Sequence, residues 1–246
     1  MVSFVIVEYN SIADLESCVS SITSYPSFSN DVEIVVSSNS CYSRERQIQL
    51  LIEYPNLKWI FNDSNGGFAY AMNRGLAVAT GDFLVIMNPD VRLNVGIDKM
   101  LGYMYKHDTI GVIAPKIINI RGEVQDSFRN FITPMNFMER HMKRFWGCRE
   151  KQELDVFPIN VDWVIGAFMM ISRKAYETVK GLDEHYFLYC EDMDFCKRIH
   201  LKGYDVVYYP FAEIEYEGTR SARHSLRYAC IFLQSLVRYW RKFGTW

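Results

Sequence analysis

Four short, largely apolar runs constrain the first half of the chain more than any other feature: "VSFVIV" at 2–7, "VEIVV" at 32–36, "LKWIF" at 57–61 and "FLVIM" at 83–87. Continuous apolar runs of this length fit strands covered on both faces. Segments of helical spacing lie between them. Leu15, Cys18, Val19 and Ile22 share one face of the first, with Ser11 and Asp14 reading as a capping box. Phe68, Ala71, Met72, Leu76 and Ala79 share one face of 67–79, with Gly81 just beyond. This β-α-β-α-β-α-β order predicts a parallel, doubly wound sheet. Such sheets place their ligands at the carboxyl ends of the strands.

The alternation stops near Pro115, and 116–160 is less regular, with a hairpin at Arg121-Gly122. "FMMI" at 168–171 reads as a strand, 191–201 as a helix stopping before Gly203, "DVVYY" as a strand and 221–242 as a long helix. The simplest organisation is one domain with three parts: a ligand-binding half at 1–115, a second half at 116–220 and a basic C-terminal helix at 221–246. The whole chain carries a formal charge of −2, which does not suggest a nucleic-acid binder. None of the six cysteines forms a Cys-x-x-Cys pair, so no zinc or thioredoxin-like motif is expected, and scattered thiols fit a reducing cytosol. "MVSFVIVEYN" lacks a basic leader and a cleavage site and reads as a strand, not a signal peptide. No apolar run approaches the roughly 20 residues that span a bilayer.

Two constellations carry possible chemistry. In the first, "FLVIM" runs into Asn88-Pro89-Asp90, so Asp90 is either a turn residue or a ligand at a strand end. Upstream, Asn65-Gly66-Gly67 opens a helix whose first amides would attract an anion, with Arg74 one to two turns on. An acid at the next strand end could hold a divalent cation on the same diphosphate. In the second, Glu191, Asp192 and Asp194 begin a helix just after Tyr186, Phe187 and Tyr189. Acids there complement the helix dipole, at about 0.3–1 kcal/mol each. The aromatic run, however, suits sugar binding and a carboxyl tuned for proton transfer. His185 and His200 have no metal-ligand spacing and read as structural or solvated.

With "NGGFAYAMNRG", "GDFLVIMNPDV", "VDWVIGAFMMISRKAYETVKGLDEHYFLYCEDMDFCKRIHLKGYDVVYYPFA" and the trailing "EGTRS" in this order, the chain resembles the family-2 glycosyltransferases, in particular the bacterial rhamnosyltransferase-like branch. The resemblance implies a GT-A fold: a mixed central sheet flanked by helices, closed by a C-terminal helix. It also implies inverting transfer of a sugar from a nucleotide-diphosphate donor, thymidine-based and carrying rhamnose by preference, to a glycan or lipid-linked acceptor of cell-surface polysaccharide. Asp90 would then hold Mg2+ or Mn2+, Asp192 would be the catalytic base and Glu191 would orient it or the acceptor. Val7, Tyr9, Asn10, Ser37, Asn65, Gly66, Asn73, Arg74, Asn88, Trp163, Gly166 and Ala167 would complete the donor site. The chain departs from the pattern twice. Ser37 stands where relatives carry a base-reading aspartate, and Tyr216 stands where many carry a metal-binding histidine.

Two rival classes remain. A sugar-phosphate nucleotidyltransferase would favour a glycine-rich, basic loop after the first strand, where this chain has "EYNSIADLES". A carbohydrate- or nucleotide-binding protein without catalysis is compatible with Ser37 and Tyr216. The last 27 residues hold six Lys/Arg and no acid, leaving 21 basic against 29 acidic residues elsewhere. On a helix, Leu226, Ala229, Leu233, Leu236 and Trp240 share an apolar face, flanked by Arg223, Arg227, Arg238, Arg241 and Lys242. That helix either closes the core or associates peripherally with a membrane from the cytoplasmic side.

Overall fold

The computed structural model of the protein describes residues 1–28, 32–145, 157–218 and 225–244, and the side chains among these outside 140–145. The elements run β1 (Val2–Glu8), α1 (Ile12–Thr23), β2 (Val32–Ser38), α2 (Arg44–Glu53), β3 (Lys58–Phe61), α3 (Phe68–Val78), β4 (Phe83–Met87), β5 (Val91–Val95), α4 (Ile97–Tyr105) and β6 (Ile110–Ile118). There follow β7 (Val124–Gln125), β8 (Phe128–Arg129), α5 (Pro134–Phe145), β9 (Ile159–Asn160), β10 (Trp163–Val164), β11 (Phe168–Ser172) and α6 (Arg173–Val179). The chain closes with α7 (Glu191–Leu201), β12 (Asp205–Tyr216) and α8 (Leu226–Phe243).

The main sheet has the order β3-β2-β1-β4-β11-β6-β12-β5, with β7 and β9 added at β6 and β12. β3, β2, β1 and β4 are mutually parallel, as their apolar runs predict. Beyond β4 the sheet is mixed: β11 runs antiparallel to both β4 and β6, while β6 and β12 are parallel. β1 shows why the runs are apolar on both sides. Its Val5 and Val7 enter a core beneath α3, α7 and α8, whereas Phe4 and Ile6 enter a second core beneath α1 and α4. The strand–helix alternation does stop near Pro115, which lies inside the nine-residue β6, since β7 and β8 follow β6 with no helix between them. Pro115 pairs with Tyr209, where the register to β12 shifts before Glu213. A missing N–H is tolerated at such an irregularity.

Two local expectations change. Ser11 is the N-cap of α1, but its side chain makes no capping bond. Its own amide instead donates to Glu8 Oε1 at 2.9 Å. At the far end, 221–224 of the expected long helix lie outside the described residues, and α8 begins at Leu226. The buried residues of α8 are Ser235, Leu236 and Tyr239. Leu226 and Leu233, expected to share an apolar face with Leu236, are 88% and 48% exposed.

Candidate active site

The parallel strands bring the ends of β2, β1 and β4 side by side, so Ser37, then Val7, Tyr9 and Asn10, then Asn88 and Asp90 follow one another along one sheet edge. Because β11 is antiparallel to β4, its start arrives at this same edge with Gly166 and Ala167. Two backbone N–H groups then join the halves. Asn88 N–H donates to Ala167 O at 2.9 Å. Gly166 N–H donates to Asp192 Oδ2 at 3.0 Å. The strand-end acid and the acid at the head of α7, about a hundred residues apart in sequence, therefore come to the same end of the sheet, and both act electrostatically on Tyr216. A Cβ at Gly166 would stand 3.2 Å from Asp192 Cβ, so a larger residue would push the carboxyl away.

Glu191 and Asp192 open onto a cavity of about 280 Å³ with Arg129, Trp163, Tyr189 and Tyr216 in its wall. Asp192 is half-buried, and its Oδ1 also accepts Met193 N–H at 2.8 Å. Glu191 is 7% exposed, and its Oε2 has no hydrogen-bond partner among the described residues. Burial raises the proton affinity of both, and at Glu191 the charges of Asp192 and Asp194 add to it and push its pKa up to about 8. Asp192 is restrained by two backbone N–H groups and by Arg129. Two adjacent carboxyls that share a desolvated site cannot both ionise readily, so one of the pair holds its proton to higher pH than the other. The chain turns into α7 through two consecutive left-handed residues, Tyr189 (φ 69°) and Cys190 (φ 66°). Strain of this kind on non-glycine residues costs on the order of 1–3 kcal/mol each and gathers at functional sites. The third acid has a different part. Asp194 is fully buried, with Arg198 Nε and Lys242 Nζ each donating to it at 2.6 Å, which ties α7 to α8.

Asp90 is half-buried, and burial followed by the nearby Asp14 charge lifts its proton affinity, against a weaker pull from Arg92. Among the described residues no group of three or more His, Cys, Asp or Glu could enclose a metal ion. Tyr216 adds no carboxylate. Its hydroxyl accepts from Asn88 Nδ2 at 3.4 Å, and burial, then the Asp90 charge, pushes its pKa up to about 12. The oxygen-only set of Asp90, Asn88 and a neutral phenol fits a hard divalent cation that draws its other ligands from substrate phosphates and water.

The donor side is occupied by bonds within the protein. Gly66 N–H donates to Ser64 O, Gly67 N–H to Asn65 Oδ1 and Phe68 N–H to Phe187 O. At the expected anion cradle the amides of Gly66, Gly67 and Phe68 are thus engaged within the protein. The glycines serve close packing instead. Gly67 has φ 95°, and a Cβ there would lie 2.3 Å from Phe187 O. Asn73 is likewise turned to structure, with Oδ1 accepting Leu182 N–H and Nδ2 donating to Leu182 O and Glu184. Arg74 lies exposed along Tyr70, its guanidinium 5.8 Å from the ring centre. Ser37 is fully buried and accepts from Asn62 Nδ2 at 3.1 Å, so its hydroxyl does not face the open cleft. Tyr9 and Asn10 are exposed beside it. His185 pairs with Asp183 at 2.8 Å and His200 Nε2 bonds the carbonyls of Val161 and Asp162, both structural as expected.

Sequence reasoning missed Arg129, Glu8 and Asn39. Arg129 reaches the cavity because β8 pairs with β10, and its guanidinium lies 5.8 Å from the Trp163 ring centre. No local pattern announces that pairing. Glu8 is buried and accepts from Ser38 (2.5 Å), Ser40 (2.8 Å), Tyr42 (3.0 Å) and Ser11 N–H. An acid closing a largely apolar strand is the available signal. Asn39 Nδ2 bridges Asn65 Oδ1 and Gly67 O.

The fold is that of two solved glycosyltransferases. One is GalNAc-T7 with UDP, GalNAc and Mn2+ (TM-score 0.68, 17% identity, covering 100% of this chain and 48% of that one). The other is the Pyrobaculum calidifontis mannosyltransferase PcManGT with GDP-Man and Mn2+ (TM-score 0.64, 16% identity, 98% and 64%). In sequence, the chain is 28% identical over 187 residues to the N-acetylglucosaminyl-diphospho-decaprenol L-rhamnosyltransferase of Mycobacterium tuberculosis, covering 68% of this chain and 61% of that protein. It is 28% identical over 182 residues to the rhamnosyltransferase WbbL of Escherichia coli, covering 68% of this chain and 67% of that protein. The chain thus matches about three fifths of the mycobacterial relative's length. Residues 155–225 also match the N-terminal domain of galactosyltransferase. Residues 3–180, which carry the parallel strands, the Asn88-Pro89-Asp90 turn and the Gly166 link to Asp192, match glycosyl transferase family 2, and the chain belongs to that family.

Proposed function

We propose that the protein is an inverting glycosyltransferase that moves a sugar, rhamnose first among candidates, from a nucleotide-diphosphate donor to a glycan or lipid-linked acceptor. The observation that carries the reading is Asp192, set at a sugar-sized cavity and bonded through Gly166 to the segment that contacts the Asp90 turn. Asp192 takes the proton of an acceptor hydroxyl as that oxygen attacks the anomeric carbon, and the bond from that carbon to the diphosphate breaks on the opposite face. Glu191, holding its proton, adds no second negative charge beside the base. Trp163 and Tyr189 supply apolar ring faces for the sugar. Asp90 would hold Mg2+ or Mn2+, and that cation would neutralise charge on the departing diphosphate. Asn88 and the ends of β1 and β2 would position the donor, with Tyr9 and Asn10 as the exposed groups. The rhamnosyltransferase relatives support the choice of sugar. The free thiols of Cys18, Cys41, Cys190, Cys196 and Cys230 accord with a cytoplasmic site of action.

The test is product analysis with a panel of nucleotide sugars, in the presence of Mg2+ or Mn2+ and in excess chelator. Transfer from thymidine-diphosphate rhamnose, with inverted anomeric configuration and lost with chelator, is the expected result. Donor hydrolysis or binding without transfer across the panel would contradict it, and a preference for a uridine donor would overturn the order of donors. Calorimetry of Mn2+ with and without thymidine diphosphate checks the metal site apart from turnover. Binding should be weak alone, strengthened by the nucleotide and abolished in Asp90→Ala.

A further inference from the structure

The face that α8 turns away from the core is only partly polar. Leu226, Cys230, Leu233 and Val237 are exposed and, at spacings of four, three and four residues, form one stripe along the helix. Beside it runs a second exposed row, Arg227, Gln234, Arg238 and Arg241. No acid occurs anywhere in α8. The buried side holds Leu236 and Tyr239, with Phe232 and Trp240 half-buried. The apolar stripe therefore lies between the core-facing side and the arginine row, as in helices that rest at a water–lipid boundary. The neighbouring α5 continues this character: its Phe137 packs on Phe232 and Trp240, while Met135 and Met138 are 82% and 65% exposed.

We propose that this outer face of α8 seats the protein on an anionic lipid bilayer. Charge favours that occupant. The residues outside 220–246 carry 21 basic against 29 acidic side chains, so an anionic surface attracts the α8 end and repels the remainder. Lys242 is not part of the contact, because it is held by Asp183 at 2.7 Å and Asp194 at 2.6 Å. The same helix lines the active-site cavity through Phe232, and Ser235 Oγ donates to Leu188 O just before Tyr189 and Cys190. Seating α8 on lipid would bring the cavity's α8 wall to the membrane. This last step rests on the proposed transferase reading, whereas binding itself does not.

The experiment is sedimentation of the full chain with vesicles of phosphatidylcholine alone or mixed with phosphatidylglycerol, at low and high salt. Binding to the anionic vesicles only, released by salt, is expected. Each arginine near an anionic leaflet contributes roughly fivefold to partitioning. Arg227→Gln/Arg238→Gln/Arg241→Gln should therefore weaken binding by about 10- to 100-fold, and Leu233→Glu/Val237→Glu should abolish it. Arg44→Gln/Arg121→Gln, exposed elsewhere, should bind as the parent does. All of these positions are exposed, and unchanged circular dichroism would verify folding. Failure of the parent chain to sediment, equal loss in the Arg44/Arg121 control, or a soluble dimer dissociated by Leu233→Glu/Val237→Glu would overturn the proposal, the last assigning the stripe to a second copy. If vesicle binding holds while no donor is used, the transferase reading fails and the membrane face stands.

Discussion

Two clusters of buried polar groups flank the cleft, and they are built on opposite principles. At the ends of β1 and β2, the Glu8 carboxyl meets four donors, and Asn39 and Asn62 knit Ser37 to Asn65 and the start of α3. The network is nearly complete, with Asn62 Oδ1 its one buried atom without a described partner. At the start of α7, the chain holds a buried carboxyl oxygen without a partner, two left-handed residues and two adjacent acids with raised proton affinity. Satisfied burial specifies structure, whereas unsatisfied burial costs stability and persists where function requires it. The difference separates a region whose polar groups hold the strand-end loops in shape from the one to which the proposed function assigns proton transfer.

Substitutions that break the comparison should sort accordingly. The largest effect is expected at Asp192→Asn, which keeps the shape and removes the base. Turnover should fall by roughly 100- to 10,000-fold with little change in melting temperature, read from initial rates and calorimetry. Glu8→Gln should do the reverse. It sets an amide NH2 among donors, leaving about one buried group unmet and costing about 1–3 kcal/mol in denaturant unfolding, while the folded enzyme loses far less turnover than Asp192→Asn. Equal losses of turnover in the two variants would erase the distinction. The smallest effect is at Glu191→Gln. Glu191's raised proton affinity contributes stability that is present below the ordinary carboxylate range and is lost as pH rises through its folded value. Glu191→Gln should therefore leave the melting temperature unchanged in acid and raise it above neutrality, by about 2–4 °C per kcal/mol gained.

What the sequence discloses follows from how local the cause is. The four parallel strands and α3 are legible because their apolar pattern is contiguous. The Asp90 turn and the acids of α7 are legible because strand ends and helix starts have marked residues. The capping box at Ser11 is not, because Glu8 on the preceding strand takes the Ser11 amide. The engagement of the Phe68 amide at the start of α3 is not, because its acceptor, the carbonyl of Phe187, is distant in sequence. Periodicity marks the apolar arc of α8 but not which part of it meets the core, and Leu226 and Leu233 face out while Leu236 faces in. Arg129 depends on the β8–β10 pairing and is legible only once that pairing is seen.

The central claim, that Asp192 is the ionised member of a desolvated pair and acts as the base, is tested most directly by the pH dependence of kcat/KM in the parent enzyme and in Arg129→Met. Burial raises the proton affinity of Asp192 and Arg129 restrains it. The account predicts an acid limb above the ordinary carboxylate range, activity falling as pH drops through it, and a further shift to higher pH in Arg129→Met. An acid limb at the ordinary carboxylate position, unmoved by Arg129→Met, would contradict it.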